Sequence, residues 1–295
     1  MTSVKLTRSV LYTPGANPAV MTKALNGSAD RLIFDLEDAV APESKVQARA
    51  HVLDILAAAG DRRDHVVVRV NDLDSAWCDE DVCMAVQSGV PAILFPKISS
   101  VDHLERAQHL MAKQGAGRHV ELWCMIETPV AILNLQAIAQ HAGALGAPMT
   151  TWVLGTNDLV KDMKAAHTRT REPLMTALSL AVLTARAYGL TVLDGVHNDI
   201  KDMEAFVQSC RQGREMGFDG KTLIHPSQIT PCHEVFSPSE DEVQFARQVI
   251  EAFELPDNQG KGVIKVQGQM VELLHAKIAA HTLAMDEAIQ ARATR

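Results

Sequence analysis

The stretch RLIFDLEDAV (31–40) places Asp35, Glu37 and Asp38 at the end of an apolar run. Carboxylates in such a place cost solvation free energy if they become buried, so they need partners or a task. Two more acids, Glu127 in WCMIET and Asp158 in LGTND, close later apolar runs. A pair of oxygen ligands completed by water is what Mg2+ or Mn2+ accepts. The Cys/His spacing of a zinc site is missing. Glu127 and Asp158 are therefore the expected metal ligands, with Glu37 and Asp38 holding the metal's waters. Arg69 in VVVRVN offers a planar fork that matches a carboxylate. This set suits a 2-oxo acid chelated through its carboxylate and carbonyl. A metal there would stabilise the enolate or oxyanion formed when a C–C bond beside that carbonyl breaks or forms.

Residues so far apart in sequence need a frame to bring them together. Eight short apolar runs recur, at 9–14, 31–38, 65–71, 92–98, 120–128, 150–158, 190–196 and 222–226, each followed by a helix-like stretch. Near-continuous apolar runs suit parallel strands covered on both faces, and their alternation with helices indicates βαβ units. Eight such units make a (β/α)8 TIM barrel. A doubly wound sheet is the alternative, but no G-x-G-x-x-G follows the first run. Barrel active sites lie at the C-terminal ends of the strands. Glu37, Asp38, Arg69, Lys97, Glu127, Asp158, Asp194 and His225 all fall at such ends. Each alone would also suit a solvated loop or a helix cap; together they predict one polar site.

The chain has 295 residues, 47% hydrophobic and 22% charged, with a net charge of −8. That composition can fill a sizeable core. A nucleic-acid binder would carry a basic excess instead. The five cysteines are odd in number and form no C-x-x-C pair, so they read as reduced thiols in a cytoplasmic protein. No run reaches the roughly 20 apolar residues that span a bilayer, and the N-terminus lacks a signal-peptide apolar core. The expected domains are a barrel over 1–231 and a helical extension over 232–295. In the extension, Ser239 with Glu242 forms a capping box for one helix, PDNQGKG (256–262) reads as a turn, and 269–290 reads as a second helix.

The motifs RSVLYTPG (8–15), DRLIFDLEDAV (30–40), VRVN (68–71), FPKI (95–98), MIETPVAI (125–132), LGTNDL (154–159), DGVHND (194–199) and GFDGKTLIHPSQI (217–229) stand in this order. In this the chain resembles the citrate lyase beta-subunit-like enzymes of the HpcH/HpaI aldolase superfamily. The resemblance implies a TIM barrel, Mg2+ on Glu127 and Asp158, and Arg69 on the carboxylate of an oxo acid. It also implies a lyase that makes or cleaves a C–C bond between an acyl-CoA and a 2-oxo acid, as with malyl-, methylmalyl- or citramalyl-CoA. Homotrimers or homohexamers would follow, the tail of one copy reaching the neighbouring active site. One departure stands in GQMVELL (268–274): Glu272 replaces the aspartate that the family proposes as acid/base. The extra methylene moves the carboxylate by about 1 Å.

Lys97 could form a Schiff base, but the two carboxylates of a metal site favour a metal-dependent route and leave Lys97 to steer substrate. Arg8 is expected among the substrate-binding residues, with Arg69, Glu127 and Lys97. Lys45 and Arg49 match family positions and could meet phosphates, yet their i, i+4 spacing also suits a solvated helix face. His225 is read as positioning a loop. Three alternatives to the lyase remain: a citrate lyase subunit acting on an acyl-carrier thioester, a malyl-CoA thioesterase, and a non-catalytic metabolite binder.

Overall fold

The computed structural model describes residues 4–143 and 146–294. Eight parallel strands close a barrel in sequence order. They are β1 (Ser9–Pro14), β2 (Arg31–Asp35), β3 (Val66–Arg69), β4 (Ala92–Phe95), β5 (Glu121–Ile126), β6 (Met149–Leu154), β7 (Thr191–Asp194) and β8 (Gly220–Leu223). Outside lie α1 (Pro18–Leu25), α2 (Lys45–Ala58), α3 (Cys78–Ser88), α4 (Val101–Lys113), α5 (Pro129–Leu133), α6 (Leu135–Gln140), α7 (Thr156–Asp162), α8 (Met175–Tyr188), α9 (Met203–Met216) and α10 (Ile229–Phe236). The (β/α)8 TIM barrel read from the sequence is the fold observed. No helix among the described residues is long and apolar enough to cross a membrane.

Strand alternation explains where the core sits. Val10, Ile33, Val67, Ala92, Leu94, Trp123, Met125, Val153 and Leu193 form one buried cluster, with Tyr12 packed against it. Along β2 and β3 the next position of the same parity is Asp35 and Arg69, which are register partners. The alternation that stacks apolar side chains at the bottom of the barrel thus delivers an acid and a base at its top.

The strands are shorter than the apolar runs. Glu37 and Asp38 lie in the turn after β2, Glu127 one residue past β5, and Asp158 in the first turn of α7 rather than in a strand. Asp194 also sits apart from the mouth. Its neighbour Leu193 belongs to the barrel interior, so Asp194 falls on the other face, toward the helical layer. There its carboxylate takes Lys221 Nζ and Arg171 Nη1, each at 2.7 Å, and all three side chains are largely or fully buried. Burial works to raise the Asp194 carboxyl, but Lys221 and Arg171 outweigh it and hold it below the usual range. A depressed carboxylate stabilises above its unfolded value, and that stability is lost as pH falls through the folded one. Asp194→Asn should cost about 3–5 kcal/mol at pH 7, because it leaves two buried cations uncompensated. Urea denaturation at pH 7 and pH 3 should show the gap between variant and wild type narrowing in acid.

The barrel unit runs from Thr7 to His233; the second unit takes the N-terminal segment through Leu6 together with the chain from Glu234 on, and the latter part has a small core of its own. Helix α11 (Glu240–Glu254) opens with the expected capping box: Ser239 Oγ accepts the Glu242 N–H, and Glu242 Oε2 accepts the Ser239 N–H. The second helix, however, does not begin at Gln269. Residues Gln269–Glu272 are a strand, β10, paired antiparallel with β9 (Val263–Val266), and α12 starts afterwards (Leu273–Ala293). Alternating burial in β9 and a two-residue turn, Gln267 and Gly268 at φ 47° and 82°, make this a hairpin of the primed-turn kind. Glu272 therefore ends a strand and caps α12, its backbone N–H donated to His275 Nδ1 at 2.9 Å, with an exposed side chain.

Candidate active site

Arg69 is the hub of the barrel mouth. Its Nε and Nη2 donate to the two oxygens of Asp35, each at 2.6 Å. Its Nη1 lies 2.8 Å from Glu37 Oε2 and 3.4 Å from Asp38 Oδ2. Its guanidinium covers the Tyr12 ring at 5.1 Å from the centroid, a cation–π contact. One buried arginine thus faces three carboxylates. Burial alone would lower its pKa, but Asp35 above all, with Glu37, reverses this and fixes the positive charge.

The second centre is Glu127, 2% exposed. Its Oε1 accepts the backbone N–H of Lys97 at 2.8 Å. Lys97 holds that N–H in place from a left-handed backbone (φ 54°), a conformation costing a non-glycine residue about 1–3 kcal/mol. Its Nζ donates to Glu37 Oε1 at 3.0 Å while its side chain stays 42% exposed, so it links the two centres and still meets solvent. On the far side a Cβ at Gly155 would collide with the Glu127 side chain. Only glycine lets β6 lead into α7 so close to this glutamate.

Glu127 and Asp158 share a hydrogen bond, and Asp158 also takes Lys161. Burial, then the charge of Glu37, pushes the Glu127 carboxyl up to about 8. For Asp158 burial is outweighed by Lys161 and Glu127, and its carboxyl falls below the usual range. Of the two, Glu127 is the one whose environment favours the proton, and Asp158 the one whose environment favours the charge. Glu37 is also raised, by burial, against the pull of Arg69.

Glu37, Asp38, Arg69, Lys97, Glu127 and Asp158 are brought together as the sequence predicts; Arg8 is not. Arg8 precedes β1 at the opposite, N-terminal face, where Nε and Nη2 clasp Asp30, itself just before β2, at 2.8 Å each. Strand register, which sets Val10 beside Arg31, explains the pairing. Arg8 fastens the bottom of the barrel and has no place in the mouth. His225 accepts the Ser227 N–H and shapes its loop. Asp35 and Tyr12, which sequence reasoning left without a role, belong to the site. Counting in twos from Ile33 and Val10 would have placed both on the inward face.

This arrangement has relatives. The model of the HpcH/HpaI aldolase/citrate lyase family matches residues 8–226. A "(3S)-malyl-CoA thioesterase" of Cereibacter sphaeroides is 43% identical over 284 residues, 96% of each chain. A "citrate lyase subunit beta" of Leuconostoc mesenteroides is 32% identical over 277 residues, 92% of this chain and 90% of that one. Among solved structures, the CitE protein of Mycobacterium tuberculosis in complex with magnesium, acetoacetate and coenzyme A superposes with a TM-score of 0.73, at 26% identity, covering 94% of this chain and 98% of that one. With motif order, barrel and full-length likeness in agreement, the chain belongs to the HpcH/HpaI aldolase/citrate lyase family.

Proposed function

We propose that the protein is a Mg2+-dependent enzyme of malyl-type CoA thioesters, and that it hydrolyses the thioester of (3S)-malyl-CoA. The observation that carries the class of substrate is the meeting of Glu127 and Asp158 with Arg69 and Lys97 at one barrel mouth. Hydrolysis is favoured by the thioesterase relative, which matches at 43% over 96% of both chains.

The residues fit the metal. Two carboxylates side by side, Glu127 buried at 2% exposure and Asp158 at the first turn of α7, are the oxygen donors a hard divalent ion takes, with water completing its shell. Among the described residues no group of three or more His, Cys, Asp or Glu stands ready to hold a metal, so water and substrate oxygens would complete the shell around Glu127 and Asp158. Glu127 and Asp158 would hold Mg2+, which would act as a Lewis acid on negative charge at the substrate. Mn2+ suits the same donors.

The chain's own side chains supply the rest. Lys97 Nζ and the Nη1 edge of Arg69 attract the malyl carboxylate, and Asp35 keeps the guanidinium from turning. Glu37, between those two cations, takes the proton of a water that attacks the thioester carbon. The new C–O bond forms, the C–S bond breaks, and the proton passes to the leaving sulfur. A second reading, C–C cleavage, is favoured by the citrate lyase relative at 32% identity. There Glu37 would take the proton of the substrate hydroxyl, and the acyl carbon would be reprotonated, with Glu272 of a neighbouring copy as the candidate in a homotrimer or homohexamer.

Product analysis separates these readings. Malyl-CoA incubated with the protein and Mg2+ should yield free coenzyme A and malate, and nothing when the metal is chelated. Acetyl-CoA with glyoxylate would instead establish the lyase. Turnover of neither kind with malyl-, methylmalyl- or citramalyl-CoA would overturn the proposal.

A further inference from the structure

Lys45 opens α2, and a cation in the first turn of a helix opposes the helix dipole. It is also 7% exposed, so its ammonium has given up most of its water. Something must offset both costs. Its Nζ donates to the carbonyl of Leu36 at 3.0 Å and to that of Glu37 at 2.9 Å. It also lies 5.3 Å from the centroid of the Trp77 ring. Both carbonyls belong to the turn after β2 that carries Glu37 and Asp38. The other side of this turn is held by Asp35, whose oxygens accept the N–H of Glu37 at 2.9 Å and of Ala39 at 3.1 Å. A buried carboxylate thus gathers the turn's N–H groups while a buried ammonium gathers its carbonyls. A turn built in this way is set by side chains, and the direction of the Glu37 side chain depends on it.

We propose that Lys45 is a positioning residue of the active site, acting through the carbonyls of Leu36 and Glu37 to hold the Glu37 carboxylate between Arg69 and Lys97. The inference rests on the role given to Glu37 above. It also assigns Lys45 away from ligand phosphates and from a solvated helix face, since its ammonium is turned inward onto the backbone.

A double-mutant cycle tests it. Lys45→Met keeps the length and apolar stem of the side chain and removes the donor. Turnover of malyl-CoA should fall about tenfold to a hundredfold, the range that a displacement of about 1 Å produces. Glu37→Gln should lose at least as much, and the double variant should be no slower than Glu37→Gln alone, because Lys45 acts through Glu37. Stabilisation of the protein by Mg2+, which reports on Glu127 and Asp158, should be unchanged in Lys45→Met. Hydrogen exchange should quicken at the amides of residues 37–40 and stay unaltered in the rest of the barrel. Losses that multiply in the double variant, or full turnover in Lys45→Met, would overturn the proposal. Should Lys45→Met fail to fold, Lys45→Gln enters the same cycle. Should the wild type turn over no malyl-type ester, the reading of the reaction fails by itself. The exchange of residues 37–40 then decides alone: quickened exchange supports the clamp, unaltered exchange overturns it.

Discussion

Replacing Glu127 by Gln should cut turnover about a thousandfold and, in the absence of metal, make the protein more stable than wild type at pH 9. The Glu127 carboxyl titrates at about 8 in the folded protein against 4.5 ordinarily, through burial and then the charge of Glu37. A raised carboxyl contributes its stability in full below the unfolded value and loses it as pH rises through the folded one. Between pH 5 and pH 8 the unfolded chain has released this proton and the folded chain has not, so every step upward favours unfolding. The slope is at most about 1.4 kcal/mol per pH unit and a few kcal/mol in all. Gln has the same shape and no proton to lose, so urea midpoints of the variant at pH 5, 7 and 9 should lack this slope. Added Mg2+ should stabilise the wild type more strongly as pH rises toward 8, since the ligand must shed its proton, and should leave Glu127→Gln unaffected. Asp158→Asn should also lose the response to Mg2+ but keep the pH slope. Turnover in Glu127→Gln should fall about a thousandfold, the scale reached when a group facing developing charge is removed. A slope that persists in Glu127→Gln would refute burial as the cause, and a retained Mg2+ response would remove Glu127 from the metal site.

The barrel was legible because its strands are apolar on both faces and therefore stand out as runs. The same runs overshoot the strands at their C-terminal ends. Glu37, Asp38, Glu127 and Asp158 continue the run in sequence, but hydrogen bonds between strands have already ended, and each side chain is aimed by a turn or a helix start. Site membership survives that error, since the turns stay at the mouth. Arg8 shows where motif reading fails. It lies next to a strand like the others, but at its beginning, and polarity along the strand decides which face of the barrel a residue reaches. Asp35 was missed for the opposite reason. It sits inside an apolar run, where period-two parity with Ile33 and register with Arg69 reveal its role better than its neighbours in sequence do. The tail hairpin was hidden because β10 runs into α12 without a loop, and because its turn uses Gln267 where Asn would have given the usual signal.

The Arg69 network makes the other large prediction, since it bears on stability and on substrate at once. Arg69→Met removes the charge that faces Asp35, Glu37 and Asp38 and leaves the Asp35 carboxylate, 1% exposed, to the N–H groups of Glu37 and Ala39 among the described residues. Breaking a buried pair from one side costs about 3–5 kcal/mol, largely for the orphaned charge. The double variant Asp35→Asn/Arg69→Met removes the orphan too, so urea denaturation should find it more stable than Arg69→Met. Arg69→Lys separates charge from shape. A single ammonium restores a positive charge near Asp35, but it cannot meet both Asp35 oxygens at 2.6 Å and still present a third donor toward Glu37 and the mouth. It should fold with a smaller loss of stability, while turnover falls about a hundredfold, mostly through KM for malyl-CoA, because the lost Nη1 edge binds substrate carboxylate before and during the reaction. Equal destabilisation in Arg69→Met and the double variant would show that Asp35 and Arg69 are not one unit. Unchanged KM in Arg69→Lys would show that a positive charge is enough and that the fork recognises nothing. If both expectations hold, the three acids of RLIFDLEDAV have distinct tasks set by geometry: Asp35 fixes the arginine, Glu37 shares its charge and works on the proton, and Asp38, with its side chain 63% exposed, remains at the solvent edge of the site.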